Sequence, residues 1–144
     1  MVEALKARGF YDNSIIIFST DNGGTADASN YPLRGRKEQV YEGGVRGVGF
    51  VHSPLIENPG VESQRWEIFK IIAFMRILGY RLMYITDWMA TLMHVAGLKR
   101  MIPPGLDSLN MWPSISYGKK SPRTEIILNI DQDTFWNLWS AAIM

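Results

Sequence analysis

Asp21 and Asn22 stand side by side directly before two glycines, in the order Thr20-Asp21-Asn22-Gly23-Gly24. A carboxylate and a neutral amide offer hard oxygen ligands, which suit Ca²⁺ or Mg²⁺ and not zinc. Consecutive side chains of a strand point to opposite faces, so both residues can reach one ion only if the chain turns here. The glycine pair permits that turn. Asp-Asn-Gly is also a common turn sequence, and an ordinary turn is the alternative.

A second candidate cluster is basic and rich in glycine. It consists of Arg34-Gly35-Arg36-Lys37-Glu38, followed by Glu42-Gly43-Gly44-Val45-Arg46-Gly47. Basic side chains beside glycines, which let a ligand approach the backbone closely, are what a site for an oxyanion needs. A solvated charged loop is the alternative for such a run.

The first cluster follows an apolar segment that predicts a strand. Residues 2–9 read as the end of a helix that stops at Gly9, and Ile15-Ile16-Ile17-Phe18 comes next. A continuous β-branched run is typical of a strand covered on both faces, as in a parallel sheet. Because ligands of open α/β sheets bind beyond the carboxyl ends of strands, Asp21 is expected at such an edge.

The rest of the chain supplies a few further elements. Residues 25–47 are predicted to be mostly loop, and Val48–Val51 a second short strand. Thr86 to Ala96 predicts a helix with Thr86 as its N-cap and Gly97 as its stop. A linker with two prolines and a further strand, Glu125–Ile130, come after it. Helix and buried strand in succession indicate an α/β protein.

Composition narrows the classes of partner. The chain has 144 residues and a formal net charge of +1, so bulk charge does not imply a polyanion as partner, and no nucleic-acid partner is expected. Cysteine is absent, which excludes disulfides, thiolate metal sites and a cysteine nucleophile within this sequence. Neither a signal peptide nor a membrane span is expected, because charged residues interrupt every apolar stretch.

The two clusters together resemble the sulfatase family, most nearly its arylsulfatase B (N-acetylgalactosamine-4-sulfatase) type. The resemblance covers about residues 2–64 and resumes near Arg81. It is carried by the following segments: Asp21-Asn22-Gly23-Gly24, Pro32-Leu33-Arg34-Gly35-Arg36-Lys37, Tyr41-Glu42-Gly43-Gly44-Val45-Arg46-Gly47-Val48-Gly49-Phe50, Ile85-Thr86-Asp87-Trp88, Leu106-Asp107 and Asn129-Ile130-Asp131.

The resemblance implies roles for three residues. Asp21 and Asn22 match the pair that ligates the active-site Ca²⁺, and Lys37 matches a lysine that contacts the substrate sulfate. Arg34, Arg36 and Arg46 are expected to shape the loop without a catalytic role. Family members use a formylglycine hydrate as nucleophile and need no cofactor besides calcium.

The resemblance also implies architecture and setting. An alkaline-phosphatase-like α/β domain is expected, with the C-terminal part of that catalytic domain in residues 1–101. Residues 102–144 would begin a smaller domain with an antiparallel sheet. The complete enzyme would hydrolyse sulfuric esters, such as a sulfated glycosaminoglycan or an aryl sulfate, in the lysosome or after secretion.

This sequence departs from the family pattern in two ways. No Ser or Cys stands two residues before a proline and four before an arginine, as the nucleophile motif requires, and His52 and His94 match no catalytic position. We therefore expect a fragment without the N-terminal catalytic half, inactive by itself. Residues 65–80 are an atypical insertion, read as a splice artefact or else as a membrane-surface helix. A non-catalytic remnant that binds Ca²⁺ or an anion weakly, and a phosphohydrolase of the same fold, are the other readings.

Overall fold

The computed structural model describes residues 1–57, 82–129 and 142–143. The insertion expected at residues 65–80 lies outside these ranges. Within them, no helix is long and apolar enough to cross a membrane.

The described chain contains short helices and short strands. The helices are α1 (Val2–Ala7), α2 (Glu42–Val45), α3 (Asp87–Val95) and α4 (Trp112–Tyr117), with 3₁₀ turns at Tyr11–Asn13 and Lys99–Met101. The strands are β1 (Ile16–Ser19), β2 (Gly49–His52), β3 (Ile127–Asn129) and β4 (Ala142–Ile143). Two antiparallel pairs result, β1 with β2 and β3 with β4.

The pairing of β1 corrects one expectation from sequence. β1 runs antiparallel to β2, with Ile16 opposite His52 and Phe18 opposite Phe50, and its side chains are half-buried or exposed. The parallel, doubly covered strand predicted for this run is therefore wrong for the described residues. Only one face packs on the core, through Ile15 and Ile17, while Phe18 stacks on Phe50 at the surface with ring centroids 5.5 Å apart.

A small apolar core joins the β1–β2 pair to the helices that follow it. Its buried members are Val51 of β2, Ile115 of α4, and Ile56 and Met111, which lie outside the helices and strands. Trp88 of α3 packs against this cluster from the side. The core therefore fixes the end of β2 at Val51 and His52. The loops that leave the opposite end of the strand pair form a cleft.

A buried ion pair holds the second half of the described chain together. The Arg123 guanidinium donates to both carboxylate oxygens of Asp87, at 2.9 and 2.7 Å, and Asp87 is fully buried. The backbone N–H groups of Tyr84 and Leu109 donate to the same carboxylate at 2.8 and 2.9 Å. Hydrogen bonding to Asp87 raises the pKa of Arg123, so its guanidinium stays charged at any ordinary pH.

Several predicted elements are confirmed with small shifts of boundary. The helix ending at Gly9 is α1, and Gly9 adopts a φ of +71° that suits glycine. The helix predicted from Thr86 is α3, but the Thr86 side chain makes no capping hydrogen bond. The neighbouring Asp87 carboxylate binds the Tyr84 N–H instead, because that carboxylate is held inward by Arg123.

Removing Arg123 should destabilise this protein strongly, because it leaves a fully buried carboxylate without its counter-ion. We expect Arg123→Ala to lower the free energy of unfolding by about 3–5 kcal/mol, measured by urea denaturation. Lys6→Ala, which breaks an exposed ion pair to Glu3 in α1, is the control and should cost less than about 0.5 kcal/mol. Equal costs for the two variants would contradict the structural role of the buried pair.

Candidate functional site

An open cleft of about 680 Å³ lies where β1 ends and β2 begins. Its walls come from two stretches, residues 20–33 and residues 43–49. Both Asp21 and Asn22 line it, as does Arg46. The carboxylate and the amide singled out from sequence therefore share one concave surface at the end of a strand.

The side chains of Asp21 and Asn22 differ in exposure and in hydrogen bonding. Asp21 is exposed, whereas Asn22 is half-buried and its Nδ2 donates to the Gly23 carbonyl at 2.7 Å. Because the amide nitrogen is used in this way, Oδ1 is the end of Asn22 that can serve as a ligand. One carboxylate and one amide oxygen fit a hard cation, but they supply only part of the 6–8 oxygens that Ca²⁺ takes. Within the described ranges, this cleft included, no three His, Cys, Asp or Glu side chains gather into a metal site.

Gly23 joins the two sequence clusters through a backbone contact that admits no side chain. Its N–H donates to the Gly44 carbonyl at 2.8 Å. A Cβ on Gly23 would stand 1.8 Å from the Gly43 carbonyl oxygen, far inside any real contact. The Asp-Asn turn and the Glu-Gly-Gly segment can therefore approach each other only because this position is glycine.

Lys37 is brought to the Asp-Asn segment by its backbone. Its N–H donates to the Gly24 carbonyl at 2.9 Å, two residues after Asn22. The Lys37 side chain is exposed, and Lys37 is not among the residues that line the cleft wall. The structure thus brings the lysine's segment beside Asp21 and Asn22, while its ammonium group is not part of the cleft surface.

Asn30 organises this loop, and sequence reasoning missed it. Its Oδ1 accepts from the Gly24 N–H at 2.8 Å, and its Nδ2 donates to the Gly24 and Gly35 carbonyls, both at 3.1 Å. A single side chain thus ties the end of the Asp-Asn segment to the start of the Arg-Lys segment. The available signal was an asparagine in a stretch of turn residues, which favours local bonds to the backbone.

Two of the loop arginines have partners of their own. The Arg34 guanidinium lies 3.9 Å from the centroid of the Tyr41 ring and donates to its hydroxyl at 2.9 Å. Arg46 bonds Glu42 one helical turn earlier, at 2.8 Å, with side chains that are 15% and 39% exposed. Arg36 contributes backbone bonds with Gln39 that close a tight turn. These contacts shape the loop, as expected for all three.

Neither histidine lines the cleft. His52 lies at the far end of β2, buried, with its Nε2 3.1 Å from the Tyr11 hydroxyl. His94 is half-buried in the last turn of α3. His52 pairs with Ile16 and therefore lies at the opposite end of the strand pair from Asp21.

Comparisons with known proteins give one family. The sulfatase family model matches residues 1–98. Arylsulfatase J of Mus musculus is 46% identical over 130 residues, which cover 89% of this chain and 19% of that protein. A sulfatase of Formosa agariphila is 33% identical over 99 residues, 68% of this chain and 15% of its own length. This chain therefore spans about a fifth or less of either relative.

A solved structure agrees in fold. Ps i-CgsB in complex with k-i-k-neocarrahexaose superposes with a TM-score of 0.61 at 31% identity, over 83% of this chain and 23% of that chain. The expected α/β, alkaline-phosphatase-like sulfatase fold is thereby confirmed for the part that this chain contains. Since the family model matches 98 of the 144 residues, including both clusters that meet at the cleft, this chain belongs to the sulfatase family.

Proposed function

We propose that this chain forms part of the active site of a calcium-dependent arylsulfatase, a hydrolase of sulfuric esters. The observation that carries the proposal is the convergence of the two clusters. Asp21 and Asn22 share one cleft, and the segment of Lys37 is bonded to Gly24 beside them. Hard oxygen ligands next to a basic loop are the combination that a metal and a sulfate group would need together.

In this proposal Asp21 and the Oδ1 of Asn22 hold Ca²⁺. A cation bound there would draw electron density from the sulfate oxygens and stabilise the charge that develops on them. The chain's own contribution is to fix the two ligands: the Gly23–Gly44 bond holds the turn, and the Asn22 amide bond to Gly23 sets which end of that side chain faces the ion.

Lys37 contacts the substrate sulfate in the same proposal. Its backbone is anchored at Gly24, beside the cleft, and its side chain is exposed. Lysine carries a compact ammonium on a flexible stem, which suits a contact that forms with the ligand. Arg34 and Arg46, held by Tyr41 and Glu42, have less freedom to do so.

The isolated chain is proposed to be inactive. Covalent catalysis requires an activated nucleophile, and the serine or cysteine motif that the family resemblance implies does not occur in this sequence. Neither His52 nor His94 lines the cleft, so the described residues offer no histidine as general acid or base there. What remains can bind an anion beside a partial metal site.

The finer identity of the parent enzyme is part of the proposal. An arylsulfatase B-like subtype, location in the lysosome or outside the cell, and a domain boundary near residue 101 follow from the resemblance. A sulfated carbohydrate is the proposed natural substrate class, supported by the neocarrahexaose named in the complex of the structural neighbour.

Calcium should bind the 144-residue protein weakly at Asp21 and Asn22, because the two side chains complete only a fraction of its shell. We expect a Kd of about 10⁻⁴ M or weaker, with NMR shifts that centre on the amides of residues 21–23. Asp21→Asn should abolish the shifts. Asp27→Asn, which changes an exposed carboxylate of the same loop that does not line the cleft, is the matched control and should leave them unchanged. Sub-micromolar affinity, or shifts that survive Asp21→Asn, would contradict the proposed site.

Lys37→Ala should impair a complete sulfatase that contains this sequence. Losing one cation that stabilises the sulfate's charge is expected to lower kcat/KM for 4-nitrophenyl sulfate by about 10²-fold or more. The midpoint of thermal unfolding should hardly move, because the Lys37 side chain is exposed. Lys6→Ala in α1 serves as the control for loss of a surface lysine. A Lys37 variant as active as the Lys6 variant would refute the role.

The purified 144-residue protein should not hydrolyse 4-nitrophenyl sulfate above the uncatalysed rate, even with Ca²⁺ supplied, because its sequence lacks the nucleophile motif. Release of 4-nitrophenol is the readout. Turnover that disappears in Asp21→Ala would show that a nucleophile is present after all.

A further inference from the structure

Tyr31 combines high exposure with a position in the wall of the cleft. It is 91% exposed, more than any other large hydrophobic side chain in the described ranges, and it lines the same cleft as Asp21 and Asn22. Scattered apolar side chains are ordinary on protein surfaces. An open aromatic ring beside a candidate ligand site differs from these, because a bound molecule could cover it.

The backbone that carries this ring is tied down on both sides. Asn30, the preceding residue, makes its three side-chain bonds to Gly24 and Gly35. The Leu33 N–H donates to the Asn30 carbonyl at 2.7 Å and closes a turn around Tyr31 and Pro32. An aromatic ring on a turn that is already fixed loses little conformational freedom when a ligand packs on it.

Another aromatic ring of the same loop, that of Tyr41, is already covered by an arginine side chain. Tyr41 carries the Arg34 guanidinium on its face, 3.9 Å from the ring centroid. Tyr31 is far more exposed than Tyr41, which is 43% exposed. Of these two rings, Tyr31 is therefore the one that offers its surface to a molecule in the cleft.

We infer that Tyr31 is a specificity-determining residue on which the ring that bears the sulfate group stacks. The inference rests on the proposed function, which places the sulfate near Asp21, Asn22 and Lys37. An aromatic side chain supplies a large apolar face with a polar hydroxyl at its end, and this suits a sugar or aryl ring edged with polar groups. Tyr31 thus recognises the ring, while Lys37 recognises the anion.

The test compares a ligand that has a ring with one that has none. The 144-residue protein is titrated by NMR with 4-nitrophenyl sulfate and, separately, with inorganic sulfate. Tyr31→Ala should raise the Kd of 4-nitrophenyl sulfate about three- to ten-fold, the range of one aromatic contact, and change that of inorganic sulfate less than about two-fold. Tyr31→Phe keeps the ring and should keep both affinities. Phe10→Ala, which removes an exposed ring that does not line the cleft, is the control.

The outcomes separate this inference from the proposed function. Lys37→Ala should weaken binding of both ligands. Suppose that Lys37→Ala does so, but Tyr31→Ala either leaves the Kd of 4-nitrophenyl sulfate unchanged or raises the Kd of both ligands equally. The proposed role of Tyr31 is then wrong, and the anion site stands. If neither ligand binds in a manner that depends on Lys37, the proposed function fails and the inference fails with it.

Discussion

The carboxylate of Asp87 accepts four hydrogen bonds: two from the Arg123 guanidinium and one each from the backbone N–H groups of Tyr84 and Leu109. These partners come from three separate stretches of the chain. Taking a carboxylate and a guanidinium out of water is costly, and the cost is offset only when the geometry satisfies nearly every donor and acceptor. The entry to α3, the segment around Leu109 and the segment around Arg123 must therefore adopt one arrangement together. Trp88, directly after Asp87, then packs against the core that holds β2.

A second constraint acts in the loop between β1 and β2, where Gly23, Gly43 and Gly44 leave no room for a Cβ. A Cβ at Gly43 would stand 2.4 Å from the Gly35 carbonyl oxygen, and one at Gly44 would stand 2.1 Å from that of Gln39. Backbone therefore packs directly on backbone. The Gly23 N–H donates to the Gly44 carbonyl and the Gly43 N–H donates to the Arg34 carbonyl, and these bonds hold the segments together. Such packing leaves no apolar core of its own. The site depends on hydrogen bonds between peptide groups, and these lose their strength when water enters.

The sequence was informative where chemistry or periodicity is local. The place of Asp21 and Asn22 directly after a strand, the helix that begins near Thr86 and the family itself could all be read from short segments. The antiparallel partner of β1 could not, because an apolar run of four residues fits a doubly covered parallel strand and a strand with one face on a core equally well. The role of Asn30 could not be read from the sequence either. The same holds for the ion pair between Asp87 and Arg123, which are 36 residues apart. Both depend on which distant backbone groups the fold brings within hydrogen-bonding distance.

β2 connects the two constraints. At one end Gly49 lines the cleft, and at the other Val51 and His52 are buried against the core and Tyr11. The strand is thus fixed by apolar packing at its far end and presents the loop at its near end, where Thr20 and Val48 exchange backbone and hydroxyl hydrogen bonds. Residues 25–41 of the loop are mostly exposed, which is the pattern of a region that opens locally at lower free energy than the core. Local opening would break the bond between the Lys37 N–H and the Gly24 carbonyl and so separate Lys37 from Asp21 and Asn22. Under the proposed function, a bound sulfate and metal would bridge the two clusters. A ligand that binds only when the clusters lie together shifts the equilibrium toward that arrangement and thereby stabilises the loop.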